Sequence, residues 1–184
     1  MKVFKINLAV DDFKSLLAKD DRVHARRLLA LDGTAKIHDW KNSLEVEFDN
    51  MEAPAPDIYS CGAGNMVLWG RSFVILEPII RSVAELLPVS WDGGEGKLVN
   101  IVGFSDCLDQ DRTSWYCDED SGKKVFIERH EFIATKLPRL VPFKIKAQRF
   151  ATFCADYEDG SESLRSLVQS NNLTGIIFET VWES

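Results

Sequence analysis

Short runs of β-branched and aromatic residues, each closed within a few positions by glycine, proline or aspartate, constrain this chain of 184 residues more than any other feature. The clearest stands near the end, where Asn172-Leu173-Thr174-Gly175 leads into Ile176-Ile177-Phe178-Glu179-Thr180-Val181-Trp182. That run has the composition and length of one strand. Gly175 separates it from a helix-like stretch, Glu162 to Gln169, and a glycine can end a helix in the left-handed conformation. The unit therefore reads helix, glycine stop, buried strand. Ile176, Phe178 and Thr180 fall on one face, and Ile177, Glu179 and Val181 on the other. Taken alone it is a core strand of any α+β domain.

The rest of the chain repeats this grain. Lys2 to Ala9 alternates and opens with a strand. Asp11-Asp12 offers N-cap chemistry to a short helix through Phe13, Leu16 and Leu17. Arg22 to Leu31 fits a short helix or a strand. Leu44 to Phe48 alternates cleanly and predicts a half-exposed strand. Pro54 and Pro56 disfavour helix around Met51 to Asp57, which makes that stretch the best boundary. It divides an N-terminal β/α segment, 1–55, from a main α+β unit, 56–184.

Within the main unit, Ile58-Tyr59 and Met66 to Trp69 are short apolar pieces around a Cys61-Gly62-Ala63-Gly64 turn. Phe73-Val74-Ile75 reads as a strand leading into a helix from Glu77 to Leu87, with Pro78 in its first turn and Pro88 as its stop. Asp92 to Gly96 is a turn before a strand from Leu98 to Phe104. Asp106 to Asp120 is acidic and loop-like. Val125 to Ile127, Phe132 to Ala134 and Ala151 to Ala155 are further short strands. The expected class is α+β, a mostly antiparallel sheet of short strands with a few packed helices. Phe73, Ile79, Val83, Leu98, Ile101, Ile176 and Phe178 should lie in its core.

Charge and cysteine content narrow the function classes. The net charge is −7, which argues against a nucleic-acid binder with a basic face. It permits a basic protein partner, and it is also ordinary for a cytosolic protein. No apolar run approaches the ~20 residues of a membrane span, and the N-terminus lacks a signal peptide's apolar block, so the expected place is the cytosol. Cys61, Cys107, Cys117 and Cys154 form no Cys-x-x-Cys pair and read as free, mostly buried thiols.

Three chemistries deserve weighing. His24, His38 and His130 show no zinc spacing, so neither a metal nor another cofactor is expected. Cys61 before Gly-Ala-Gly imitates a nucleophile on a tight turn with His130 as a distant base, or it is a half-buried cysteine in a β-turn. Gly93-Gly94-Glu95-Gly96-Lys97 lacks the phosphate-cradle pattern and leads into a strand. The acidic run is the most unusual surface feature. Asp106, Asp109, Asp111, Asp118, Glu119 and Asp120 are answered inside it only by Arg112. It is a solvated loop, or a patch that docks on a basic partner with Trp115 and Tyr116 as aromatic anchors. Glu45, Glu47 and Asp49 form a weaker second patch.

From about Asp57 onward the order of motifs resembles the immunity proteins of bacterial polymorphic toxin systems, family eleven. The resemblance rests on Phe73-Val74-Ile75-Leu76-Glu77 with Leu87-Pro88-Val89, on Leu98-Val99-Asn100-Ile101-Val102 with Cys107-Leu108-Asp109, and on Val125-Phe126-Ile127. Leu137-Pro138, Pro142-Phe143-Lys144-Ile145 and the closing Leu173-Thr174-Gly175-Ile176-Ile177-Phe178 with Val181-Trp182 complete it. Leu76 departs from a frequent serine N-cap, and Cys154-Ala155-Asp156 from a Ser-Asp/Glu pair.

The resemblance implies a non-catalytic cytoplasmic protein that binds and neutralises a co-encoded toxin, a nuclease being one such toxin. Two other readings stay open. One is an adaptor or chaperone for a secreted effector, and the other a small hydrolase using Cys61.

Overall fold

Alternation along the strands divides their side chains between cores in the computed structural model, which describes residues 1–19, 22–62 and 64–184, with backbone only at 22–24 and 26. The side chain of His24 and the turn residue Ala63 thus lie outside the described residues. In chain order the elements are β1 (Lys2–Leu8), β2 (Ser15–Ala18), α1 (Arg22–Leu29), β3 (Leu44–Asp49), β4 (Ile58–Cys61) and β5 (Asn65–Leu68). Then follow α2 (Gly70–Ile80), β6 (Ala84–Trp91), β7 (Gly94–Ile101), β8 (Ser114–Cys117), β9 (Lys124–Arg129), β10 (Thr152–Asp156), α3 (Leu164–Ser170) and β11 (Ile176–Glu183). The fold is α+β, and its pairings are antiparallel except β2 with β4 and β3 with β6.

Six strands close a barrel in the order β2-β3-β6-β7-β5-β4. Its interior holds Leu16, Val46, Tyr59, Cys61, Val67, Leu87, Val89 and Leu98. The alternate residues of the same strands, Ile58, Met66, Leu68, Val99 and Ile101, face outward into a second core. There they meet Leu76 and Ile80 of α2, Leu164 and Val168 of α3, and Phe4 of β1. Because β4 and β5 are covered on both sides, they are short and mostly apolar, Ile58-Tyr59-Ser60-Cys61 and Asn65-Met66-Val67-Leu68.

A three-stranded sheet, β10-β1-β11, forms the next layer. Phe4 and Cys154 face the second core, while Val3, Phe153 and Ala155 face a third with Cys107, Phe132, Phe143 and Ile145. Strands from both sides of residue 55 share both sheets: β1 lies between β10 and β11, and β2 and β3 belong to the barrel.

Several local expectations need correction. Asp11-Asp12 precedes β2 and no helix, because Leu16 is drawn into the barrel by pairing with Phe48 and Cys61. Phe73-Val74-Ile75 is helical, within α2, and Glu77 to Leu87 is the end of that helix followed by β6. Ser72, Leu76 and Ile80 are the buried stripe, four residues apart, which is helical spacing. Pro78 stands in the last turn, and the carbonyl it deprives belongs to Val74, an exposed residue. Pro88 lies inside β6, where eight paired positions from Ala84↔Ile101 to Trp91↔Gly94 outweigh its missing donor. The segment likened to the immunity family's strand, helix and Leu-Pro is therefore helix and then strand.

Phe132 makes only an isolated bridge with Leu108, and Ala134–Lys136 is a 3-10 turn. Gly175 does not stop α3. Asn172 does, at φ 50°, with Leu173 N–H on the Val168 carbonyl at 2.9 Å and Asn172 N–H on that of Gln169 at 3.1 Å. That is a Schellman cap with asparagine in the left-handed position. Gly175 serves close approach instead, since a Cβ there would stand 2.1 Å from the Ile58 carbonyl oxygen. Nor is β11 buried on both faces. It is an edge strand with Ile177, Glu179 and Thr180 exposed, and a bulge between Val3 and Phe4 turns Val181 and Trp182 toward the third core.

The expected core residues fall on the cores. Leu98 and Ile101 are buried, and Phe73, Ile79, Val83, Ile176 and Phe178 are partly buried against the second core. All four cysteines are free, with Cys117 alone exposed.

Candidate functional site

The acidic run is a built hairpin and not a loop throughout. β8 and β9 pair with each other alone, as a two-stranded sheet, joined by a turn that its own side chains hold. Asp118 accepts from Ser121 N–H at 2.8 Å and Ser121 Oγ at 2.6 Å. Its backbone N–H reaches the Lys123 carbonyl at 2.9 Å, and Gly122 at φ 64° returns a bond to the Asp118 carbonyl at 2.8 Å. The Ser121 hydroxyl holds the Asp118 carboxyl below its ordinary range. Asp109 organises the approach in the same way, accepting from the N–H groups of Asp111 at 3.2 Å and Arg112 at 3.1 Å.

These bonds sort the predicted residues. Asp109 and Asp118 shape turns, and Asp106, although 98% exposed, lies 3.4 Å from Lys136. Asp111, Glu119 and Asp120 are exposed and make no ion pair among the described residues. Pairing of β8 with β9 sets the cations that follow the run beside it. Between Ser114 and Arg129 four carboxylates, Asp118, Glu119, Asp120 and Glu128, stand among three cations, Lys123, Lys124 and Arg129. The hairpin therefore has an acidic tip and mixed flanks.

Its two predicted anchors behave differently. Trp115 is half-buried, packed against the third core, with the Lys124 ammonium 4.6 Å from its ring centroid. Its inner contacts make it a root of the hairpin. Tyr116 points outward and stacks on Phe126, centroids 4.8 Å apart and planes 11° apart. Tyr116 is 42% exposed, Phe126 50% and the neighbouring Val125 59%. Phe126 and Val125 are not among the predicted site residues, because a short strand from Val125 to Ile127 does not by itself say which of its side chains meet solvent. Pairing with Tyr116 puts Phe126 on the opposite face from Ile127, the buried member.

The second acidic patch is a row on one strand. Glu45, Glu47 and Asp49 are exposed, while Val46 between them fills the barrel.

Cys61 and His130 are not brought together. Cys61 is inside the barrel, fully buried, and burial pushes its thiol up to about 12. That is the environment of an inert thiol, since the thiolate is the nucleophile. His130 packs between Phe132 and Phe153 on the far side of the three-stranded sheet, its Nε2 2.8 Å from Gln148 Oε1. Burial lowers its pKa. Asp92-Gly93 is the β6–β7 turn, and Gly94, which pairs with Trp91 at the start of β7, lies against the Trp91 ring, which a Cβ there would meet at 2.5 Å.

Among the described residues no group of three or more His, Cys, Asp or Glu could hold a metal ion. No helix in them is long and apolar enough to cross a membrane. In comparison with known proteins, the chain matches no family model and no curated protein.

Proposed function

We propose that this chain is an immunity protein that binds a cognate, co-encoded bacterial toxin and blocks it by steric and electrostatic occlusion. The carrying observation is the solvent-exposed Tyr116–Phe126 stack on a hairpin whose acidic tip leaves Glu119 and Asp120 free of the fold. Aromatic side chains held in one orientation lose little entropy on docking and make strong interface anchors. Free carboxylates beside them steer and orient a basic partner. A nuclease fits such a surface, because its cleft is basic to hold phosphates. A partner of standard size covers roughly 1,200–2,000 Å² in total, more than the hairpin face alone, so flanking residues such as Asp111 fall within the footprint. The family-like motifs outside Phe73 to Val89 support the same reading, and the cytoplasm, where the toxin would act, is its expected place.

Co-expression with the toxin encoded alongside, in a host that the toxin alone kills, tests the proposal. Rescue with a co-purifying complex is expected, and Tyr116→Ala with Phe126→Ala should remove both. A complex that forms while the toxin stays fully active would identify an adaptor or chaperone instead. No complex at all would end the docking reading.

A further inference from the structure

Lys144 is buried to 3% exposure in a chain whose other lysines keep to the surface. Its Nζ donates one long bond, 3.5 Å, to the Ala151 carbonyl. The carboxylate whose field acts on it, Asp32, makes no ion pair with it: Asp32 accepts from Thr34 Oγ1 at 2.6 Å and faces Arg149 at 3.8 Å. A buried ammonium with one marginal acceptor is costly unless a counter-charge reaches it. Burial accordingly pulls its pKa down to about 8.

Lys144 lines a cavity. Ala151, its acceptor, lies between Phe150 and Thr152, and both line a space of about 40 Å³ with Lys144. Such a volume holds a water-sized species. Apolar side chains, including Ile6, Met66 and Val99, form part of its wall, and polar groups form the larger share. Two polar side chains complete it. Thr152 brings a hydroxyl, and Asn65 an amide that uses one proton on the Leu29 carbonyl at 2.8 Å and keeps another.

We infer that this cavity binds a small monovalent anion of halide size, chloride being the abundant one, held by the Lys144 ammonium and the Thr152 hydroxyl. Water would satisfy the donors but leave the charge uncompensated. A doubly charged oxyanion would overcompensate a single ammonium and is larger than the water-sized species that the space holds. A singly charged, weakly hydrated ion meets both conditions. The site sits where β5 and β7 of the barrel face β1 and β10 of the sheet, so its occupancy would tie the two layers together. It is independent of the hairpin and of the toxin.

Thermal unfolding in sodium chloride, sodium bromide and sodium gluconate at equal ionic strength tests this. The midpoint should be higher in either halide, by roughly 3 °C at about five times the dissociation constant, and Lys144→Met should erase the difference. Should that variant not fold, crystals of the unaltered chain grown in bromide decide alone, through an anomalous peak beside Nζ. Equal midpoints in halide and gluconate, a halide effect that survives Lys144→Met, or a bromide map without a peak in the cavity would each overturn the inference.

Discussion

The barrel and the β8–β9 hairpin use the same kinds of residue to opposite ends. In the barrel each strand has two neighbours, so no edge is left to pair with another chain. Aromatic rings there pack on one another: Tyr59 lies 5.6 Å from each of Phe48, Trp69 and Trp91. In the hairpin each strand has one neighbour, and the Tyr116–Phe126 stack meets solvent. An isolated hairpin is marginal in water, and this one is rooted by Trp115 and Ile127 alone on its inner face. The contrast separates a scaffold whose apolar side chains are used in packing from a surface with apolar area not needed by the fold. Loops and hairpins carried on such scaffolds are where binding is usually placed.

Breaking the scaffold should have the largest effect. Leu98→Ala empties the barrel centre and is expected to cost roughly 2–5 kcal/mol, read by denaturant unfolding. Gly175→Ala places a Cβ against the Ile58 carbonyl at φ 94°, for a loss on the order of 3 kcal/mol. A nearly unchanged midpoint in either variant would show that the layers slide apart more easily than their packing suggests.

Electrostatics should come next. In halide-free buffer Lys144 opposes folding while charged, because its folded pKa, about 8, lies below the ordinary 10.5. The unfolded chain holds that proton through the window between, so stability rises with pH from about 8 to 10.5. Relative to Lys144→Met, the unaltered chain should gain roughly 2–3 kcal/mol across it. A flat difference would mean that the amine finds water.

Asp57 runs the other way. Arg71 bonds it at 2.6 and 2.9 Å, and Thr174 N–H and Oγ1 each at 2.9 Å, which hold its carboxyl down to about 2. Its contribution is complete above about pH 4 and is lost as the pH falls toward 2. Asp57→Asn should cost ~1–2 kcal/mol at neutral pH and flatten that acid limb.

The smallest stability effect belongs to the hairpin. Tyr116→Ala should change stability by less than ~1 kcal/mol while weakening a cognate complex at least about tenfold, near 1.4 kcal/mol. Equal losses in stability and binding would collapse the distinction between scaffold and surface.

Much of the candidate site was legible, though not its working parts. The carboxylates from Asp106 to Asp120 and the Trp115-Tyr116 pair stand out in linear order. Which of them the fold consumes does not. Asp109 and Asp118 vanish into turns because a carboxylate two or three residues before an N–H is well placed to accept from it. Trp115 and Tyr116 part company because neighbours on a strand point to opposite faces. Phe126 joins the site only through pairing across a turn. Lys144 gave no signal at all, since nothing local distinguishes a buried lysine from an exposed one.

Sequence alone determined the grain of this protein: short strands, frequent turns, few helices, free thiols and an acidic surface. These follow from propensity, periodicity and charge, which act over a few residues. Tertiary structure decided the rest. Whether Phe73 to Val89 became strand then helix or helix then strand turned on β7, the partner that gives Ala84–Trp91 its eight paired positions. Whether Pro88 stopped an element or sat within one turned on the same ladder. Long-range pairing and burial outweigh local preference because each strand's backbone groups must find partners once removed from water, and those partners are chosen by the closed barrel and the sheet beside it.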